Sequence, residues 1–212
     1  MEKESIQKTG LQNLPSNVYI SFGENCLTDR ILERFHLKSF TTPYSHGRSN
    51  IEYINAIEYD DFNHFLCPSC LEYADIYGKQ VVRSNYYAQQ TNIYEYSVMN
   101  GFEFTHHDVI ANSTHIETFK RRIDRLKELQ NTNLYIFYHH RYCEETNIDQ
   151  LIKDLHKIHT LYTKRGNCVH VILFTQKLVK NSLNRKVIYT PPQVEKRDTY
   201  LLFFNTKYMG WK

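Results

Sequence analysis

From residue 18 onward, short apolar runs alternate with stretches whose apolar residues recur every three or four positions. Residues 18–22, Val-Tyr-Ile-Ser-Phe, form a β-favouring run. Gly23-Glu24-Asn25 supplies turn chemistry, and Leu27, Ile31, Leu32 and Phe35 then fall at helical spacing. The pattern predicts a strand, a tight turn and a helix, with Asn25 as N-cap and Cys26 in the first helical turn. Pro43, Gly47 and several hydroxyl residues make 39–47 a loop, and a helix follows over 49–59, capped by Ser49 or Asn50.

Neither period holds over residues 60–101. This stretch contains a Cys67-Pro68-Ser69-Cys70 turn and β-like pieces at 79–83 and 93–98, and reads as a loop-rich insertion with at most a small antiparallel hairpin. Regularity returns with the apolar run 102–104 and the polar knot Thr105-His106-His107-Asp108. A helix is then expected over 114–130, with Phe119, Ile123, Leu126 and Leu129 on one face. Further predicted elements are a strand at 134–138 running into a loop at 139–142, a helix at 148–162, a strand at 169–174, and edge strands at 186–189 and 200–204.

Near-continuous apolar strands alternating with amphipathic helices indicate a parallel sheet covered on both faces. The expected fold is a three-layer α/β sandwich with a mostly parallel central sheet and a loop-rich insertion, forming one domain over 18–212 behind a frayed segment at 1–17. Ligands of such sheets bind outside the carboxyl ends of the strands. That rule brings 23–26, 139–142 and 175–176 to one edge.

Composition adds little to this picture. The 26 Lys and Arg against 23 Asp and Glu, interspersed along the chain, argue neither for nor against a polyanion, and a nucleic-acid partner is not expected. No apolar run is long enough to span a bilayer, and residues 1–10 lack the apolar core of a signal peptide, so a cytoplasmic protein is expected. Seventeen Tyr beside 7 Gly suit either amphipathic filler or an aromatic pocket that stacks on sugars or bases. Five cysteines, an odd number, argue for free thiols rather than a disulfide framework.

The chemistry centres on Cys26. A cysteine at a helix N-terminus has its thiolate favoured by the macrodipole and nearby amides, and those amides, that of Cys26 included, suit an oxyanion hole. Gly23 allows close backbone approach there. The bland alternative is a small apolar residue packing the helix start. Among 11 histidines, the His106-His107-Asp108 cluster is the leading candidate for a general base, with Asp108 as orienter; its alternative is a solvated turn in which Asp108 caps the next segment. His139 and His140 are the runner-up base or substrate contacts. Gly23, Asn25, Tyr44, His106, His139, His140 and Arg141 make up the expected substrate-binding set.

No metal site is expected, because Cys67-x-x-Cys70 lacks a second closely spaced ligand pair. A redox role for that pair is disfavoured too, since it sits in a loop rather than at a helix start. No nucleotide cofactor is expected, the glycine-rich phosphate motifs being absent. The basic run Lys120-Arg121-Arg122, with Arg125 and Lys127, is read as a solvated helix face, with a phosphorylated ligand as the alternative.

Ser21-Phe22-Gly23-Glu24-Asn25-Cys26, Thr42-Pro43-Tyr44, Asp60-Asp61-Phe62, His107-Asp108, the stretch 122–126 and Phe137-Tyr138-His139-His140-Arg141 occur in an order that resembles a bacterial family of papain-like cysteine peptidases. The likeness runs from Val18 to about Leu173. It implies a pair made of Cys26 and His107, and a fold distantly similar to capsule-biosynthesis acyltransferases. It also implies an association with surface-polysaccharide genes. Where that family tends to have Pro-Phe-Asp-Trp, this chain reads Pro43-Tyr44-Ser45-His46, so an acidic residue is missing. Two functions follow as expectations: a cysteine-dependent acyl-transfer enzyme acting on a small molecule or glycan with an acyl donor, or a non-catalytic binding module for a carbohydrate or nucleotide-sugar.

Overall fold

The computed structural model describes residues 16–76, 78–89, 101–140, 147–175, 186–188 and 200–204. In chain order the elements are β1 (Asn17–Ser21), α1 (Leu27–Arg34), α2 (Ile51–Tyr59), β2 (Leu71–Ile76), β3 (Lys79–Ser84), β4 (Phe102–Phe104), α3 (Ser113–Lys127), β5 (Asn133–His140), α4 (Ile148–Lys164), β6 (Cys168–Thr175), β7 (Lys186–Ile188) and β8 (Tyr200–Phe204). Short 3-10 turns occupy Pro68–Cys70 and Tyr86–Gln89.

The main sheet has the order β1-β5-β6-β8-β7. β1, β5 and β6 run parallel, with Tyr19 opposite Tyr135 and Tyr135 opposite His170. β8 and β7 close the sheet antiparallel. Of the two expected edge strands, only β7 is one. β8 lies between β6 and β7, because a strand returning antiparallel beside β6 satisfies the open ladder of that strand.

Alternation along the parallel strands splits their side chains between two layers. Ile20, Leu134, Ile136, Tyr138, Val169, Val171 and Leu173 face the main core, where they meet Ile51, Ile54 and Ile57 of α2 and Leu151, Leu155 and Ile158 of α4. Phe137 and Ile172 point the other way, to Leu32 of α1. Helices therefore cover both faces, and the three-layer α/β sandwich stands. Much of the tyrosine content is core. Tyr44, Tyr53, Tyr87, Tyr138 and Tyr162 are all fully buried, and the hydroxyls of Tyr44 and Tyr162 both donate to the buried Glu58 carboxylate at 3.0 Å.

Within the stretch expected to be loop-rich, residues 71–76 and 79–84 are paired strands. β2, β3 and β4 form a three-stranded antiparallel sheet that recruits Phe102–Phe104, while the β-like piece at 93–98 lies outside the described residues. Tertiary contacts hold this small sheet in place. Glu103, wholly buried on β4, takes Arg48 Nε at 2.6 Å and Arg83 Nη2 at 3.1 Å. Phe65, Phe102, Phe104 and Phe119 pack in edge-on contacts between the small sheet and α3.

Candidate active site

Beyond β1 the backbone stays beside β5. Phe22 N–H donates to the Phe137 carbonyl at 2.8 Å and Glu24 N–H to the His139 carbonyl at 3.2 Å. The turn is dense. A Cβ on Gly23 would collide with Thr28 Oγ1 and would lie 2.7 Å from the Asn25 carbonyl oxygen, so close approach demands glycine there. Ser21 and Thr28 hydroxyls bond each other, and Thr42 Oγ1 donates to the Ser21 carbonyl at 2.7 Å, tying the loop after α1 to the end of β1.

Cys26 is itself the N-cap of α1, so the helix begins one position later than the expected Asn25 cap would give, and Cys26 has helical dihedrals of φ −70° and ψ 0°. Asn25 acts beside it: its Oδ1 accepts from Leu27 N–H at 2.9 Å, an Asx turn that leads into the helix. The Cys26 thiol is free and half-buried. Among the described residues it makes no hydrogen bond to an imidazole.

Two sets of imidazoles stand near this junction. The first belongs to β5. His139 and His140 are the last two strand residues rather than part of a following loop, because the parallel ladder with β6 continues to the His140–Thr175 pair. His140 is wholly buried, and its Nδ1 lies 2.7 Å from Glu24 Oε1, which also accepts from the Tyr138 hydroxyl at 3.3 Å. Arg141 lies outside the described residues.

The second set gathers around α1. Asp29, one turn after Cys26 and wholly buried, meets Lys38 Nζ at 2.7 Å and His46 Nε2 at 3.5 Å. The His46 ring lies 6.2 Å from that of His106 and 6.4 Å from that of His107. His107 in turn packs edge-on against His115 and Phe119, each at 5.1 Å between centroids. Of the His106 and His107 pair, His107 turns inward and His106 is exposed. Burial first, then the positive charge of Arg122 and the neighbouring imidazoles, push His107 down to about 4. Its Nδ1 is buried without a hydrogen-bond partner.

Asp108 stands apart from His107. Its Oδ1 accepts from Ile110 N–H at 3.0 Å and Ala111 N–H at 2.8 Å, and its carboxylate also takes the Tyr73 hydroxyl. These bonds, that of Ala111 foremost, hold the carboxyl below its ordinary range. Asp108 thus shapes the turn that leads to α3, and no hydrogen bond joins it to His107.

Tyr44, expected at the substrate, is 1 % exposed and committed to Glu58, so it builds the core beneath the junction. Ser45 sits at the position where an acid is missing. It is wholly buried, and its hydroxyl accepts from Thr42 N–H at 2.9 Å, a bond that closes the turn.

Asp29, His46 and Arg122 were not among the expected site residues. Asp29 looks from sequence like an ordinary first-turn acid, and His46 like a loop residue. Arg122 reads as part of a solvated basic face, yet it is half-buried with its guanidinium 5.0 Å from the Phe119 ring, and it lies within electrostatic reach of Asp29 on α1. The i, i+3 spacing of Cys26 and Asp29 was the one available signal. Among the described residues no group of three or more His, Cys, Asp or Glu converges as a metal centre would need, and no helix is long and apolar enough to cross a membrane.

Residues 17–176 match a protein family whose description reads Putative papain-like cysteine peptidase. No curated protein and no solved structure matches the chain.

Proposed function

The chain belongs to this papain-like cysteine peptidase family, and from that premise we propose that it is a cysteine-dependent acyl-transfer enzyme with Cys26 as nucleophile and His107 as general base. The observation that carries this reading is the shared location of the parts. α1 presents Cys26 at its N-cap and Asp29 one turn later, and Asp29 meets the imidazole group that contains His46 and His107.

Burial and the Arg122 charge keep His107 neutral at pH 7, the form that accepts a proton. It takes the thiol proton as Cys26 Sγ attacks a carbonyl carbon. The carbonyl π electrons move to oxygen, and the backbone N–H of Cys26 donates to the oxyanion. The imidazolium then returns its proton to the leaving amine or alcohol as the carbon–heteroatom bond breaks, which leaves a thioester. Water or a substrate hydroxyl, deprotonated by His107, attacks the thioester and frees the thiol. Peptide hydrolysis and acyl transfer to a glycan differ only in this acceptor. Asp29 supplies the negative charge beside the imidazoles that Asp108, held in its turn, does not. Arg122 favours charge building on the sulfur and the oxyanion.

A p-nitrophenyl acetate reaction read by intact-mass and peptide mapping tests this. An acetyl group is expected on Cys26 ahead of the exposed Cys168, lost in Cys26→Ser and strongly slowed in His107→Ala. Equal acetylation of Cys26 and Cys168 would sink the reading.

A further inference from the structure

We propose that Cys67 and Cys70 form a thiol–disulfide exchange site, separate from Cys26, whose oxidant is a low-molecular-weight disulfide. The pair brackets a turn in which Cys70 N–H donates to the Cys67 carbonyl at 2.8 Å, with Pro68–Cys70 in a single 3-10 turn. A four-residue turn holds its first and fourth Cα within about 7 Å. A disulfide spans about 4.4–6.8 Å between Cα atoms, a range that overlaps the span of such a turn.

The sulfurs flank one hydroxyl. Ser69 Oγ lies 3.2 Å from Cys67 Sγ and 3.9 Å from Cys70 Sγ. Both thiols are free and half-buried, within reach of a small molecule. The turn is anchored at each end, by Cys67 N–H to the His64 carbonyl at 3.4 Å and by Asn85 N–H to the Cys70 carbonyl at 2.8 Å.

The surroundings also divide the labour. The Ser69 hydrogen bond, foremost, lowers Cys67, whereas burial raises Cys70. The more acidic thiol attacks and its partner resolves.

In the first step the Cys67 thiol gives its proton to solvent, and the thiolate attacks a disulfide RSSR. A Cys67–SR bond forms and RS⁻ leaves to be protonated. In the second, Cys70 loses its proton and attacks the Cys67 sulfur, closing the Cys67–Cys70 disulfide and expelling a second RS⁻. Two protein thiols are oxidised by two electrons, and one RSSR is reduced to two RSH.

The test titrates the full chain, carrying Cys26→Ser, Cys143→Ser and Cys168→Ser to silence the other three thiols, across ratios of oxidised to reduced glutathione, followed by acid quenching, alkylation and peptide mass mapping. The peptide spanning the turn is expected to lose two hydrogens and two alkylation sites, reversibly with dithiothreitol. Adding Cys70→Ser is expected to arrest the reaction at a glutathione adduct on Cys67. Two free thiols at every ratio would overturn the proposal, and so would an arrested variant without an adduct on Cys67.

Discussion

The two histidine pairs, His106 with His107 and His139 with His140, are alike in sequence and opposite in construction. His140 is sealed in the main core against Glu24 and Tyr138, a hydrogen-bonded group that fixes where β1 and β5 end. His107 is half-buried at a junction of elements, surrounded by Arg122 and three other imidazoles, with its Nδ1 unbonded. A buried imidazole held by a carboxylate serves geometry. One kept neutral by burial and by nearby positive charge at the edge of the fold is ready for proton exchange. Adjacent pairs of one residue type thus take different work from the layer they occupy.

The largest effect that probes this contrast is on stability. Glu24→Ala leaves a buried imidazole without its carboxylate and should cost about 3–5 kcal/mol in a chemical denaturation experiment. A loss under about 1 kcal/mol would remove His140 from its structural role.

His107→Ala should behave the other way. Acyl transfer from p-nitrophenyl acetate is expected to fall by about 10²–10⁴-fold, while the unfolding midpoint stays near that of the parent. A stability loss matching that of Glu24→Ala would erase the distinction between the pairs.

A third, smaller effect is the pH response. His107 is held at about 4 in the folded chain against an ordinary value near 6.5. Between those values the unfolded chain binds a proton that the folded chain refuses, so stability falls as pH drops through this window and is regained above it. The slope of unfolding free energy against pH from 6.5 to 4 should therefore flatten in His107→Ala. The acid limb of the acyl-transfer profile should lie near 4 in the parent. A limb near 6.5 would contradict the assignment of His107 as base.

The smallest change is expected from Asp108→Ala, which removes the bonds to Ile110 and Ala111. About 1 kcal/mol of stability should go, with less than about tenfold in rate. A rate loss equal to that of His107→Ala would show that Asp108 acts on the imidazole after all.

Much of the frame was legible in the chain. Alternating and continuous apolar runs placed β1, β5 and β6, and helical spacing placed the four helices, with Asn50 capping α2 as expected. In the small sheet β3 and β4 fall on β-like and apolar runs read from the sequence, whereas β2, Leu-Glu-Tyr-Ala-Asp-Ile, was hidden because it has little apolar bias and is held by pairing with β3. Cys26 was legible because strand, turn and helix are local events. Asp29, His46 and Arg122 were not, since they meet across elements far apart in sequence.

The sequence by itself determined that a cysteine opens a helix at the carboxyl edge of a parallel sheet, because local periodicity and turn chemistry are written within a few residues. The tertiary structure alone decided which histidine turns inward, which carboxylate stands beside the imidazoles and which tyrosines are core. His106 and His107 lie in the turn after β4, where no strand alternation fixes their directions, and only packing against Phe119, His115 and His46 set which of them turns inward.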